Sequence, residues 1–182
     1  MARKRDMTEG KIALPLVAFT LPLVLGNLFQ LTYNAVDSVI VGRYVGEEAL
    51  AAVGTSAPLM NIVLLLISGL CMGASILMSA QYGSRDYALL SRQISTTFLA
   101  GCGFSAVFSL LSILLAEPLL RLIQVPEEVV GEAGVYLRVV FLGILFTFIY
   151  NFLANTLRAL GDSRTPLYFL IASAVLNIFG DL

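Results

Sequence analysis

Histidine is absent from this chain, cysteine occurs only twice, and charged residues make up just 13% of its 182 positions. A chain without histidine is a poor candidate for a metalloenzyme, since imidazole is the commonest metal ligand. Cys71 and Cys102 both fall inside apolar runs with no Cys-x-x-Cys spacing. They read as small buried hydrophobes, not as a metal or redox pair. The scarcity of charge excludes most. A soluble domain of this size carries about twice that fraction. Nucleic acid is not an expected partner, no cofactor is implied, and no enzymatic activity is expected.

Apolar residues fill the space instead, at 58% of the chain, with a mean hydropathy of +0.90. Apolar runs repeatedly exceed the roughly 20 residues that cross a bilayer. The alternation of a membrane β-barrel is missing. The expected fold class is all-α, a polytopic transmembrane helical bundle whose first partner is the lipid bilayer. Arg3-Lys4-Arg5 resembles the start of a signal peptide, but the following run is too long and too polar on one face to be cleaved as one.

Five spans are expected, at about 13–41, 50–81, 94–116, 133–160 and 167–182, preceded by a tail at 1–12. Gly161-Asp-Ser-Arg-Thr-Pro166 is a strong turn, with glycine to stop one helix and proline to open the next. Tyr82-Gly-Ser-Arg-Asp86 is a similar break. Leu119–Ile123, flanked by Pro118 and Pro126, reads as a short amphipathic segment lying along the interface. Lys and Arg alternate from loop to loop. Arg3, Lys4, Arg5, Lys11, Arg85, Arg92, Arg158 and Arg164 share one side, which the positive-inside rule assigns to the cytoplasm. The expectation is a multi-pass protein of the cell membrane with a cytoplasmic N-terminus. The run from Pro166 to Leu182 covers only about 25 Å as a helix, short of a hydrocarbon core of roughly 30 Å. The expectation is an incomplete last span, at the end of the N-terminal part of a longer protein.

Asp37 is the most informative residue. A carboxylate inside a membrane span is costly unless it faces protein or water, and such groups usually mark an ion or substrate route. Thr20, Asn27, Gln30, Asn34 and Asp37 fall on one helical face, with Tyr33 at its border. Hydrogen bonding between helices accounts for the amides as well as a cavity does. It accounts less well for Asp37, although headgroups could reach that residue near the outer end of its span. Pro22, in the same span, removes a backbone donor and bends or loosens the helix.

Ser173, Asn177 and Asp181 are spaced by four on the fifth span. Asp37 and Asp181 both lie in the outer half of the membrane, so two carboxylates from different helices could line one cavity. Such a pair suits H⁺ or Na⁺ bound in alternation with a substrate. On the fourth span, Tyr136, Gly143, Thr147, Tyr150 and Asn151 share a face that ends at Arg158. Gly69-Leu-Cys-Met-Gly73 and Gly101-Cys-Gly103 read as small-residue packing patterns.

These stretches resemble the multidrug and toxic compound extrusion (MATE) family, in its DinF-like branch. The likeness rests on Leu21-Pro-Leu-Val-Leu-Gly-Asn-Leu-Phe-Gln30, Tyr33-Asn-Ala-Val-Asp-Ser-Val-Ile-Val-Gly42 and Leu157-Arg-Ala-Leu-Gly-Asp-Ser-Arg-Thr-Pro166, with Leu50–Gly54, Leu176–Ile178 and Asp181. The resemblance implies the N-terminal lobe of a two-lobe transporter of six plus six helices. It implies an antiporter that exports organic cations and other amphipathic toxic compounds, coupled to H⁺ or Na⁺ entry. Its cation site would use Asp37, Asn177 and Asp181, which could also hold Na⁺. Its substrate cavity would use Gln30, Tyr33, Asn34, Tyr136 and Asn151, and Pro22 would be the bend. The C-terminal lobe would be the missing partner, and no transport is expected from these residues alone. A related lipid-linked saccharide flippase would carry more cations in its spans. An intramembrane aspartyl protease is disfavoured because Asn34 follows Tyr33 and Ile178-Phe-Gly-Asp181 lacks a glycine. A bare membrane scaffold would leave the aligned polar faces unexplained.

Overall fold

The computed structural model describes residues 13–40, 42–43 and 46–181, without the side chains of 47–49, 178–179 and 181. Among the described residues there are six helices and no strand: α1 (Ala13–Ile40), α2 (Glu47–Gly83), α3 (Tyr87–Leu122), α4 (Glu127–Leu142), α5 (Ile144–Ala159) and α6 (Arg164–Asp181). The tail at 1–12 and Leu182 lie outside the described residues. So do residues 41, 44 and 45 of the α1–α2 connection.

Among the described residues, α1, α2 and α3 are each long and apolar enough to cross a membrane. The pair α4–α5, bent by 45° at its break, makes a fourth candidate. The sequence pattern predicts one continuous span over 133–160. The helix instead begins at Glu127 and breaks at Gly143, whose N–H bonds the Val140 carbonyl at 2.9 Å in a tightened turn. Glycine accounts for the break, having no side chain to favour either direction.

The third helix also differs from expectation. It runs from Tyr87 to Leu122 and continues through Pro118. Leu119–Leu122 is its last turn, not a segment lying along the interface. The cause is packing: Leu120 is fully buried, and its Cδ1 lies 3.9 Å from where a Cβ on Gly134 of α4 would be. Two ion pairs clamp the same corner, Arg121–Glu127 at 2.6 Å and Arg138–Glu117 at 2.7 Å.

Three helices end with one device. After α2, α3 and α5 the chain passes through a left-handed residue, at Arg85 (φ 62), Gln124 (φ 60) and Gly161 (φ 84). In each case the next amide reaches back to a carbonyl of the last turn: Asp86 to Gln81, Val125 to Leu120, and Asp162 to Leu157. This is the Schellman arrangement. Only the third uses glycine, as the turn signal foretold. Side chains then cap two of the following helices, α3 and α6: the Asp86 carboxylate accepts from Leu89 N–H, and Asp162 Oδ1 accepts from the N–H groups of Arg164 and Thr165.

The core lies among α2, α3, α4 and α5. Ile67, Met78, Leu120, Leu137, Phe141, Phe148 and Phe152 form its buried centre. Phe148 sits over Gly101, so that a Cβ there would fall 2.0 Å from the ring. The packing expected of Gly101 is thus real. Gly103, Gly69 and Gly73 differ: nothing lies within 4 Å of their Cβ positions among the described residues, and the three are exposed. They make no close approach within this bundle.

Helices α1 and α6 stand beside that core as a second unit. They pack along each other, and α6 touches α5 over a short stretch. Only Gly26 of α1 is buried.

Candidate functional site

The two outlying helices carry the predicted cation residues. Less exposed positions on α1 recur as one stripe: Pro15, Ala18, Pro22, Gly26, Tyr33, Asp37 and Ile40. The matching stripe on α6 is Pro166, Leu170, Ala174 and Asn177. The helices meet where Gly26 faces Leu170 and Leu167, whose methyl groups lie 3.5 and 3.6 Å from its Cβ position.

That crossing sets the register. Asp37, near the end of α1, lies within electrostatic reach of Tyr136 in the first third of the α4–α5 span. The end of α1 is therefore on the side where α4 begins. α6 starts on the opposite side, after α5, so α1 and α6 run in the same direction. Asp37 is eleven residues beyond Gly26. At 1.5 Å and 100° per residue, that is roughly 16 Å along the axis and roughly 20° around it. Asn177 and Asp181 are seven and eleven residues beyond Leu170, hence roughly 10 and 16 Å along and again within roughly 20°. By backbone position, the three residues occupy facing stripes within about one turn of the same depth.

Asp37 is half-buried, as is Tyr33 one turn below it. Asn177 is half-buried, and its Oδ1 is shut off from solvent with no hydrogen-bond partner among the described residues. A buried amide oxygen left unpaired costs about 1–3 kcal/mol. The orphan oxygen therefore calls for a donor or a cation. The side chain of Asp181 lies outside the described residues.

The cavity residues divide. Tyr136 meets Asp37 electrostatically, and Tyr33 meets Tyr150 across to α5 in the same way. Asn151 is directed elsewhere: its Nδ2 donates to the Thr147 carbonyl at 2.9 Å, and its Oδ1 accepts from Ser68 of α2 at 3.4 Å. Gln30 and Asn34 are exposed on α1. Pro22 lies within a helix that carries on past it to Ile40. Arg158, at the end of the α5 polar face, has a buried Nε without a partner among the described residues and lies in reach of Tyr150.

One residue escaped the sequence reading. Ser109 of α3 donates from its hydroxyl to the Phe141 carbonyl at 2.6 Å, beside the break that separates Tyr136 from Asn151. Its signal was a buried serine row at helical spacing, Ser105, Ser109 and Ser112.

Comparison with known proteins agrees with this architecture. The MatE family profile matches residues 22–182. The probable multidrug resistance protein YpnP of Bacillus subtilis (strain 168) is 38% identical over 94% of this chain and 39% of its own length. The probable multidrug resistance protein YoeA of the same organism is 34% identical over 88% of this chain and 35% of its own. A solved MATE multidrug transporter, DinF-BH, superposes with a TM-score of 0.87 at 26% identity, over 98% of this chain and 40% of that one. A MATE structure in complex with MaD3S gives 0.84 at 25% identity, over 92% of this chain and 37% of that one. The chain thus spans about two fifths of the length of these relatives. It belongs to the MatE family, a family of multi-pass membrane transporters, and has the fold of the N-terminal lobe of a MATE transporter.

Proposed function

We propose that this lobe works in a cation-coupled antiporter that exports organic cations and other amphipathic toxic compounds from the cell by alternating access. Asp37, Asn177 and Asp181 would take up the coupling ion, H⁺ or Na⁺. Gln30, Tyr33, Asn34, Tyr136 and Asn151 would line the substrate cavity, and Pro22 would let α1 bend between states. The carrying observation is the crossing of α1 and α6 at Gly26 and Leu170, whose register brings Asp37 within about one turn of the depth of Asn177, where the Asn177 oxygen is unpaired among the described residues. A cation there would supply the partner that the Asn177 oxygen lacks among the described residues. The names of the multidrug relatives support the substrate class. The distribution of Lys and Arg supports a cytoplasmic N-terminus in the cell membrane.

A cavity that opens to alternate sides needs a second wall. We therefore expect these residues alone not to transport. The test uses the complete protein in everted vesicles, with uptake of a fluorescent organic cation driven by a luminal H⁺ or Na⁺ load. Asp37→Asn is expected to abolish driven uptake while the protein still inserts. Full driven uptake by that variant would remove Asp37 from the mechanism.

A further inference from the structure

The α4–α5 break divides two groups of site residues. Tyr136 lies seven residues before Gly143, and Thr147, Tyr150 and Asn151 lie four to eight after it. The bend of 45° therefore sets where Tyr136 stands relative to Asn151 and to Asp37. A rigid arm of seven residues is roughly 10 Å long. A change of about 10° at the break would then move Tyr136 by nearly 2 Å on an arm of that length, altering its distance from Asp37.

The contacts at the break are specific. Carbonyls in the last turn of a helix lack partners within their own helix. That of Phe141, in the last turn of α4, receives the Ser109 hydroxyl at 2.6 Å, with Ser109 only 8% exposed. The Thr147 hydroxyl donates to the Gly143 carbonyl at 3.1 Å. On the other flank, Val140, Phe141, Ile144 and Thr147 face Met60 and Ile67 of α2 across a small void of about 30 Å³. The break thus has free space on one side and one interhelical hydrogen bond on the other.

We infer that Ser109 is a positioning residue for the candidate cation site, holding the α4–α5 bend at the angle that brings Tyr136 to Asp37. It touches neither ion nor substrate. It acts through the Phe141 carbonyl, the only interhelical hydrogen bond at the break among the described residues. The inference rests on the cation-coupled reading above.

Ser105 supplies an internal control. It lies one turn away on the same face of α3, is 1% exposed, and its hydroxyl has no partner among the described residues. Ser105→Ala removes a buried hydroxyl without touching Phe141. Ser109→Ala removes the clasp, and Ser109→Thr keeps a donor.

The experiment measures driven uptake in everted vesicles of the complete protein across a series of luminal pH and Na⁺ values. Thermal melting in detergent follows the fold. Ser109→Ala is expected to raise the half-saturating concentration of the coupling ion by about five- to tenfold, with Ser109→Thr restoring it and Ser105→Ala leaving it unchanged. A half-saturating concentration within twofold of wild type in Ser109→Ala overturns the inference, whether or not melting falls. An equal shift in Ser105→Ala also overturns it, because the effect would then be general to the α3 face. Uptake in the wild-type protein that ignores both ions would instead sink the cation-coupled reading, and the positioning role with it. Retained coupling that is lost in Asp37→Asn but unmoved in Ser109→Ala refutes only the positioning role.

Discussion

The α2–α5 bundle and the α1–α6 pair are built to different rules. The bundle buries its phenylalanines and leucines in one continuous cluster and ties its corner with two ion pairs. The pair contributes no residue to that cluster, and all but one residue of α1 is at least partly exposed. Yet the pair carries Asp37, Asn177 and Asp181. In a membrane the exposed leucines of α1 cost nothing, because lipid is as apolar as a protein core. A helix released from the core can carry polar residues and move. The bundle supplies the fixed reference, with Tyr136 and Tyr150 within electrostatic reach of Asp37 and Tyr33 on α1.

If that division holds, substitutions in the two regions separate function from stability. Asp37→Asn sits at one extreme: loss of driven uptake with melting unchanged. Gly26→Leu should act next on function. A Cβ at Gly26 meets Leu170 and Leu167 at ordinary contact distance, so Gly26→Ala is tolerated. The bulk of leucine instead spreads α1 from α6 and separates Asp37 from the α6 stripe. Driven uptake is expected to fall about tenfold, and a crosslink between cysteines placed across the two helices should slow in parallel.

Gly101→Ala is the mirror case. Its methyl would overlap the Phe148 ring, so the bundle loses about 1–3 kcal/mol through overpacking. Melting in detergent reads this directly. Gly103→Ala, with open space at its Cβ, serves as the silent control. Glu117→Gln is the smallest effect. Its pair with Arg138 is about half exposed, so the loss stays within about 1 kcal/mol and shrinks as salt is raised. A large melting loss from Gly26→Leu, or an uptake loss in Gly101→Ala protein that remains folded, would break the comparison.

Much of this was legible in advance because bilayer physics is one-dimensional. Apolar length anticipated most helices, and charge in an apolar run singled out Asp37. The errors came where neighbouring helices overrode local signals. Pro118 looked like a terminator, but α3 continues because Leu120 has a buried place against α4. Gly143 looked like one small residue in a continuous span, yet it is the break. The Gly69/Gly73 pattern promised packing that the described neighbours do not provide.

The sequence by itself determined the all-helical membrane class, the polar face of α1, the four-residue spacing of Asn177 and Asp181, and the turn at Gly161. Each depends on local chemistry: the cost of unsatisfied backbone in lipid, the helical period, and the freedom of glycine at positive φ. Only the tertiary structure decided that α1 pairs with α6 through Gly26, that Asn151 turns to Ser68, and that Ser109 clasps the α4–α5 break. Those are contacts between residues tens of positions apart. No local period encodes them, because they depend on which surfaces the folded helices bring together.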